Sequence, residues 1–274
     1  MSGFDPAWLA LRAPADAEAR SPDLLADLSD WAAQKERLSI LDLGCGTGAT
    51  QRAVSPRLPC EQHWLLVDND SQLLALCPES QGSTEIATIQ LDLAADLELL
   101  PSESVELVTC SALLDLVSAD WLSRLIAQSA NAAVYFALSV DGRIALEPAL
   151  AEDVQVLELV AFHHQRDKSF GPALGYEAAE TAAQMLRHSG REVRLERSDW
   201  TLGPDRSALQ SALLDGYAAA AIEQDSRSTA MVRRWRQARE RLSEQRLTVG
   251  HLDLLSLPDP SPRVKSNRTS TPSA

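Results

Sequence analysis

The chain has 274 residues, a net charge of −14 at pH 7 and an apolar content of 45%. That length supports a large core, best organised as one α/β domain with embellishments, and the acidic balance argues against a sequence-independent grip on nucleic acid, which is built from clustered cations. No apolar run approaches the roughly 20 residues that cross a bilayer, and the start Met1-Ser2-Gly3-Phe4-Asp5 lacks the features of a secretory signal, so a cytoplasmic protein with a small-molecule partner, no membrane and no nucleic acid is expected. Cys45, Cys60, Cys77 and Cys110 form neither a C-x-x-C pair nor a metal-ligand pattern, and read as reduced thiols with no metal site.

From Phe4 to Arg20 the pattern predicts a helix with Trp8, Leu11 and Arg12 on one face; a second, started by Ser21-Pro22, carries Leu24, Leu25, Leu28 and Trp31. Ile40-Leu41-Asp42-Leu43 is then a buried strand that breaks into Gly44-Cys45-Gly46-Thr47-Gly48, a glycine loop before a helix. Glycines at alternate positions let the backbone turn tightly and approach a ligand, so this reads as a nucleotide-binding turn. The carboxylate of Asp42 suits a ligand with a cationic end or hydroxyls better than a pyrophosphate. Cys45 is read as a small residue filling the turn rather than a nucleophile, since catalytic cysteines usually come with a histidine base.

His63 to Asp68 is a second strand closed by an acid about 20 residues past the glycines, where a carboxylate can accept from ribose hydroxyls; Asn69 follows, and Asp70 can cap the next helix. Ile86 to Leu93 reads as a third strand, Val105 into Ser111 as a fourth, Ser123 to Ala130 as a helix and Ala133 to Ser139 as a fifth strand, an alternation that implies a parallel sheet with helices on both faces. Asp141-Gly142 signals a tight turn, after which Arg143 to Leu146 pairs antiparallel to a neighbour. Helices are expected at 151–165 and 177–189, the latter stopped by Gly190, with strands at Glu192–Glu196 and Leu247–Leu255. Between those strands, residues 205–245 look helical, and the arginines from Arg227 to Arg246 read as a solvated face. Residues 258–274, Pro- and Ser-rich, read as a disordered tail.

The string Leu41-Asp42-Leu43-Gly44-Cys45-Gly46-Thr47-Gly48 resembles motif I of the class I S-adenosylmethionine (SAM) dependent methyltransferases, and Asp68, Asp92-Leu93 and the segment around Ser111 match the later motifs of that family in order. The resemblance implies a Rossmann-like, seven-stranded, mostly parallel sheet with an antiparallel last strand, helices on both faces and helical insertions. It also implies SAM as cofactor, with Asp42, Gly44, Cys45, Gly46, Thr47 and Gly48 at the methionyl part, Asp68 and Asn69 at the ribose, Asp92 and Leu93 at the adenine, and Ser111 bordering the ligands. The expected organisation is a helical cap over residues 1–37, a methyltransferase domain over 38–257 with insertions near 143–176 and 203–245, and the tail.

In this family the acceptor pocket is built from variable insertions. Candidate acceptor contacts are therefore Arg12 on the first helix and the polar run His163, His164, Gln165, Arg166 and Lys168, against the alternative of a solvated turn. Asp115 matches a position that passes close to the transferring methyl, and a carboxylate buried beside Leu114, Leu116 and Val117 could orient a nucleophile or take its proton; the competing reading is a helix cap. A small molecule bearing an acidic group is the expected acceptor. The alternatives are an NAD(P)-dependent dehydrogenase, which shares Gly44, Gly46 and Asp68 but leaves Asp42 and Asp92 unexplained, and a SAM-binding protein without transferase activity.

Overall fold

A computed structural model describes residues 5–101 and 104–258. Strands β1 (Arg37–Leu43), β2 (Glu61–Asp68), β3 (Thr84–Gln90), β4 (Leu107–Ser111) and β5 (Ala133–Glu147) lie parallel in the order β3-β2-β1-β4-β5. The sheet is completed by β8 (Arg246–Ser256), antiparallel to β5, with the short β6 (Arg194–Arg197) and β7 (Trp200–Leu202) paired antiparallel along it. This is the Rossmann-like arrangement with a reversed last strand. The central strands are buried on both faces, which is why β1, β4 and β5 read as apolar runs rather than alternating ones.

Helices cover both faces. On one, α5 (Ala119–Gln128) and α7 (Ala178–His188) pack Trp121, Leu125 and Leu186 against Leu41, Val108 and Phe136. On the other, α2 (Pro22–Ala32) packs Leu24 and Leu28 against Leu38, Ile40 and Tyr135. A third cluster joins α1 (Pro6–Ala19), α6 (Asp153–His164), α8 (Ser207–Gln224) and α9 (Thr229–Glu240) to β7 and the far halves of β5 and β8, around Val156, Trp200, Leu209, Tyr217 and Trp235. The short α3 (Ala49–Val54) and α4 (Ser71–Leu74) come directly after β1 and β2.

Several expectations need correction. Asp141-Gly142 is not a turn. Arg143 N–H donates to Asp141 Oδ1 (3.0 Å) and the Arg143 guanidinium forks onto Asp199, so β5 bulges there, with Gly142 at φ 82, and runs on to pair Ile144–Glu147 with Val249–Arg246. The predicted antiparallel pairing of Arg143 to Leu146 therefore forms as a continuation of β5 itself. β3 stops at Gln90, leaving Asp92 in the turn beyond, where its carboxylate accepts from Ala94 N–H at 2.9 Å. The sixth strand is shorter than expected, and Trp200–Leu202, unpredicted as a strand, extends its pairing along β8. The tail from residue 259 lies outside the described residues.

The solvated arginine face fails at Arg239. Its guanidinium is fully buried, ion-paired with Asp153 and donating to Pro148 O at 2.9 Å, while Trp235 Nε1 donates to Asp153 Oδ1 at 2.7 Å. Helical spacing places Trp235 and Arg239 on one face, and Asp153 from the start of α6 joins them. Asp153→Ala strands a buried cation and an indole N–H, so the unfolding free energy is expected to fall by about 3–5 kcal/mol in urea titration. An unchanged midpoint would show that this pair does not hold the helical insertion together.

Candidate functional site

The glycine loop leaves β1 at the carboxyl end of the sheet. Gly46 (φ 55) and Gly48 (φ 82) adopt left-handed conformations, and a Cβ at Gly48 would stand 2.6 Å from Pro78 Cδ, so neither backbone angle nor space admits a side chain there. Cys45 N–H anchors the loop to Val67 O at 3.0 Å, and Gly46 N–H donates to Asp68 Oδ2 at 2.8 Å. Asp68 Oδ1 accepts from Asp70 N–H at 3.0 Å, so the carboxylate at the end of β2 is fixed in place with lone pairs remaining. Asp70 caps α4, as its sequence position allowed.

Asp42 is fully buried beneath this loop. Thr109 Oγ1 donates to its Oδ1 at 2.7 Å, but Oδ2 has no hydrogen-bond partner. Burial raises its carboxyl to about 7, against the Thr109 hydrogen bond, the Arg20 charge and the Thr50 hydroxyl, which favour the ionised form. Arg20, at the end of α1, supplies the opposite orphan. It is 4% exposed, its Nη2 donates to Ser111 Oγ at 2.9 Å, and its Nε and Nη1 have no partner. Ser111 Oγ in turn meets Thr50 Oγ1 at 2.9 Å, linking the ends of α1, β4 and α3. A carboxyl group and a guanidinium, each buried and each with unpaired atoms, thus stand beside the glycine loop.

Sequence reasoning missed Arg20. It sits at a helix end before Ser21-Pro22, where an arginine usually lies in water, and no local pattern distinguishes it. Of the predicted cofactor residues, Asp42, the Gly44–Gly48 loop, Asp68 and Ser111 converge at the ends of β1, β2 and β4. Asn69 and Asp92 are exposed at the rim, and Leu93 is buried with its carbonyl accepting from Trp121 Nε1 at 2.6 Å. Thr47 is occupied by Arg52, which donates to both its carbonyl and its hydroxyl.

Asp115 lies in the turn after β4 and is buried. It does not cap α5: Ser118 does, accepting from Trp121 N–H at 3.2 Å. Burial raises its carboxyl, against its own backbone hydrogen bond and the charges of Arg12 and Lys168. The loop after α6 closes over this turn, since Leu174 N–H donates to Val117 O at 2.8 Å and Phe170 packs edge-on against Trp121. The polar run divides there. His164 stacks on Tyr176 with ring centroids 5.1 Å apart, and burial, with the Lys168 and His163 charges, lowers its imidazole to about 4, so it is neutral at pH 7. His163 and Arg166 instead reach Glu223 of α8, at 3.3 and 3.0 Å. Gln165 closes α6 and packs near Gly175; Lys168 Nζ lies 3.4 Å from His163 Nδ1; Arg12 forks onto Asp16 and stacks over Trp200. A shallow cleft lined by Lys35, Cys60, Gln62 and Thr84 lies at the opposite, amino-terminal end of the sheet and includes none of these groups.

A family model described as a methyltransferase domain matches residues 40–133, the span holding the glycine loop, Asp68, Asp92 and Asp115. Residues 40–133 thus carry the pattern of a methyltransferase domain. No curated protein sequence matches it. Among solved structures, the chain is similar to the YcgJ protein of Bacillus subtilis, at 14% identity and TM-score 0.48 over 87% of this chain and 100% of that one. It is likewise similar to a cyclopropane-fatty-acyl-phospholipid synthase-like protein of Lactobacillus casei (14%, TM-score 0.48, 94% and 96% covered). A third is a SAM-dependent methyltransferase of Geobacter sulfurreducens in complex with S-adenosyl-L-homocysteine (13%, TM-score 0.45, 94% and 100%). No helix among the described residues is long and apolar enough to cross a membrane, and none of their His, Cys, Asp and Glu side chains group as a metal site.

The raised carboxyl of Asp42 makes a pH prediction. The folded state holds a proton that the unfolded chain releases, so its contribution to stability is full below about pH 4, the ordinary carboxylate range, and is lost as pH rises through about 7. Asp42→Asn removes this titration, and the melting temperature of wild type relative to Asp42→Asn is expected to decline between pH 5 and pH 8. Parallel melting curves over that range would count against a proton on Asp42.

Proposed function

We propose that this methyltransferase binds SAM across the carboxyl ends of β1, β2 and β4 and transfers its methyl group to a small-molecule acceptor held under the loop after α6. The observation that carries the cofactor pose is the pair of orphaned buried charges, Asp42 Oδ2 and Arg20 Nε and Nη1, beside the glycine loop. An α-amino acid zwitterion satisfies both, its ammonium on Asp42 and its carboxylate on Arg20, and the methionyl end of SAM is such a group. A dinucleotide pyrophosphate would instead meet the buried carboxylate of Asp42, which disfavours the dehydrogenase reading. Asp68 is positioned to accept from ribose hydroxyls, and Asp92 and Leu93 to border the adenine.

Bound SAM supplies an electrophilic methyl carbon on a sulfonium. The protein's part is to hold the acceptor atom in line and keep water out. Asp115, buried and held toward its neutral form, is assigned to orient the acceptor nucleophile and, once ionised, to receive its proton; Lys168, whose charge reaches Asp115, is assigned to an acidic group on the acceptor. Four free cysteines support a reducing, cytoplasmic setting.

Two experiments test this reading. SAM and S-adenosylhomocysteine are expected to raise the melting temperature and NAD not to. Arg20→Ala should weaken SAM about 10- to 100-fold by loss of a charge-assisted contact, yet leave decarboxylated SAM almost unaffected. An equal loss for both ligands would remove Arg20 from the carboxylate site. With an acceptor found by S-adenosylhomocysteine release from a substrate panel, Asp115→Asn should lower turnover by about 100-fold or more with SAM affinity intact and an altered pH–rate profile. Turnover within a few-fold of wild type would sink its assignment.

A further inference from the structure

Two thiols from separate parts of the chain meet on the glycine loop. Cys45 lies inside the loop and is buried, and Cys77, beyond α4, is half-buried. Both S–H groups converge on one acceptor, the carbonyl oxygen of Gly46, at 3.6 Å from Cys45 Sγ and 3.5 Å from Cys77 Sγ. Each thiol also bears on the other's ionisation, the neighbouring group pushing Cys45 up and Cys77 down. Arg52, anchored on Thr47, adds positive charge that favours the Cys77 thiolate. Of the two, the more accessible Cys77 is the one whose surroundings favour the thiolate, and Cys45 is the thiol placed beside it at the same carbonyl. Pro78 already packs against Gly48, so the segment carrying Cys77 is seated on the loop before any oxidation.

We propose that Cys45 and Cys77 are an oxidative modification site, forming a disulfide under peroxide that switches off cofactor binding at the Gly44–Gly48 loop. The switching half rests on the SAM reading above; the disulfide itself does not. In the first step the Cys77 thiolate attacks one oxygen of hydrogen peroxide. The S–O bond forms, the O–O bond breaks, and the departing hydroxide leaves as water with the proton that the thiol gave up. Cys45 then attacks the sulfenic sulfur, the S–S bond forms as the S–O bond breaks, and the Cys45 proton leaves with that hydroxide as a second water. Two thiols lose two electrons, and one peroxide becomes two waters.

An S–S bond of about 2.05 Å is far shorter than a contact between two thiols, so closing it draws both side chains past the Gly46 carbonyl they now share. Gly46 also carries the N–H that holds Asp68 Oδ2 at 2.8 Å. Displacing that residue moves the loop and the assigned ribose carboxylate together. A dithiol reductant restores both. The other two cysteines lack this arrangement: Cys110 is fully buried, with burial raising its thiol well above the ordinary range, and Cys60 lines the cleft at the far end of the sheet.

The test treats the full-length protein with a few equivalents of hydrogen peroxide, alkylates the remaining thiols and maps the digest by mass, with SAM affinity measured by calorimetry before and after. The expected result is a Cys45–Cys77 linked peptide, an affinity loss of about tenfold or more, recovery with dithiothreitol, and a Cys77→Ser variant that binds SAM like wild type and keeps its affinity after peroxide. Both thiols remaining alkylatable after peroxide would overturn the proposal, as would a linked peptide with unchanged affinity. Reduced wild type that binds no SAM would overturn the cofactor reading and the switching half with it, while the peptide map still decides the disulfide.

Discussion

One buried carboxylate sets the geometry on which the proposed cofactor side of this molecule depends. Asp253, fully buried in β8, accepts from Ser21 N–H at 3.0 Å, Tyr135 OH at 3.1 Å and Leu138 N–H at 2.8 Å. The reversed last strand is thereby tied at one point to the start of α2 and to the bulge of β5, where Leu138 takes a left-handed φ of 56. A buried ionisable group left without such partners would cost several kcal/mol, so these three donors are held firmly. Ser21 comes directly after Arg20. Fixing its N–H fixes where the Arg20 guanidinium emerges, over the Tyr135 ring and against Ser111.

From that anchor hydrogen bonds run through Ser111 to Thr50, and Asp42 is held separately by Thr109. These residues come from a helix end, two strands and the helix after the glycine loop, and each is held by a backbone element whose own packing is apolar. Asp42 Oδ2 and Arg20 Nε and Nη1 remain without partners inside this enclosed region, which is what the proposed ligand, carrying both charges of an amino acid, would satisfy.

The proposed acceptor side is built differently. Asp115, Tyr176, His164 and Lys168 stand on a turn and on the loop after α6, closed by the Leu174–Val117 hydrogen bond and the Phe170–Trp121 contact rather than by strand pairing. Burial acts on all four groups toward the neutral form, opposing charge on Asp115, Lys168 and His164 and ionisation of Tyr176. Such a surface lowers the cost of excluding water around a reacting atom. Arg12, locked onto Asp16 and stacked over Trp200, contributes field rather than a free donor.

Much of this was legible in the chain, because the informative features are local. Glycines at alternate positions after an apolar run suit a tight turn, an acid closes the next strand, and the mostly apolar stretches of β1, β4 and the first half of β5 report burial on both faces. Tertiary structure decided what depends on distant neighbours. Asp141-Gly142 has the chemistry of a turn, yet Asp199 captures Arg143 and the strand bulges there and continues along β8. Arg239 belongs by sequence to a charged surface helix, and only the meeting of α6 with α9 gives it Asp153 and an interior. Arg20 carries no local signal, since its orphaned donors exist only because Asp253, Tyr135 and Ser111 enclose it. Cys45 and Cys77 read as unrelated thiols until the packing of Pro78 on Gly48 brings them to one carbonyl. Backbone conformation and periodic burial are written in neighbouring residues, whereas the partner of a buried charge is set by which elements the core brings into contact.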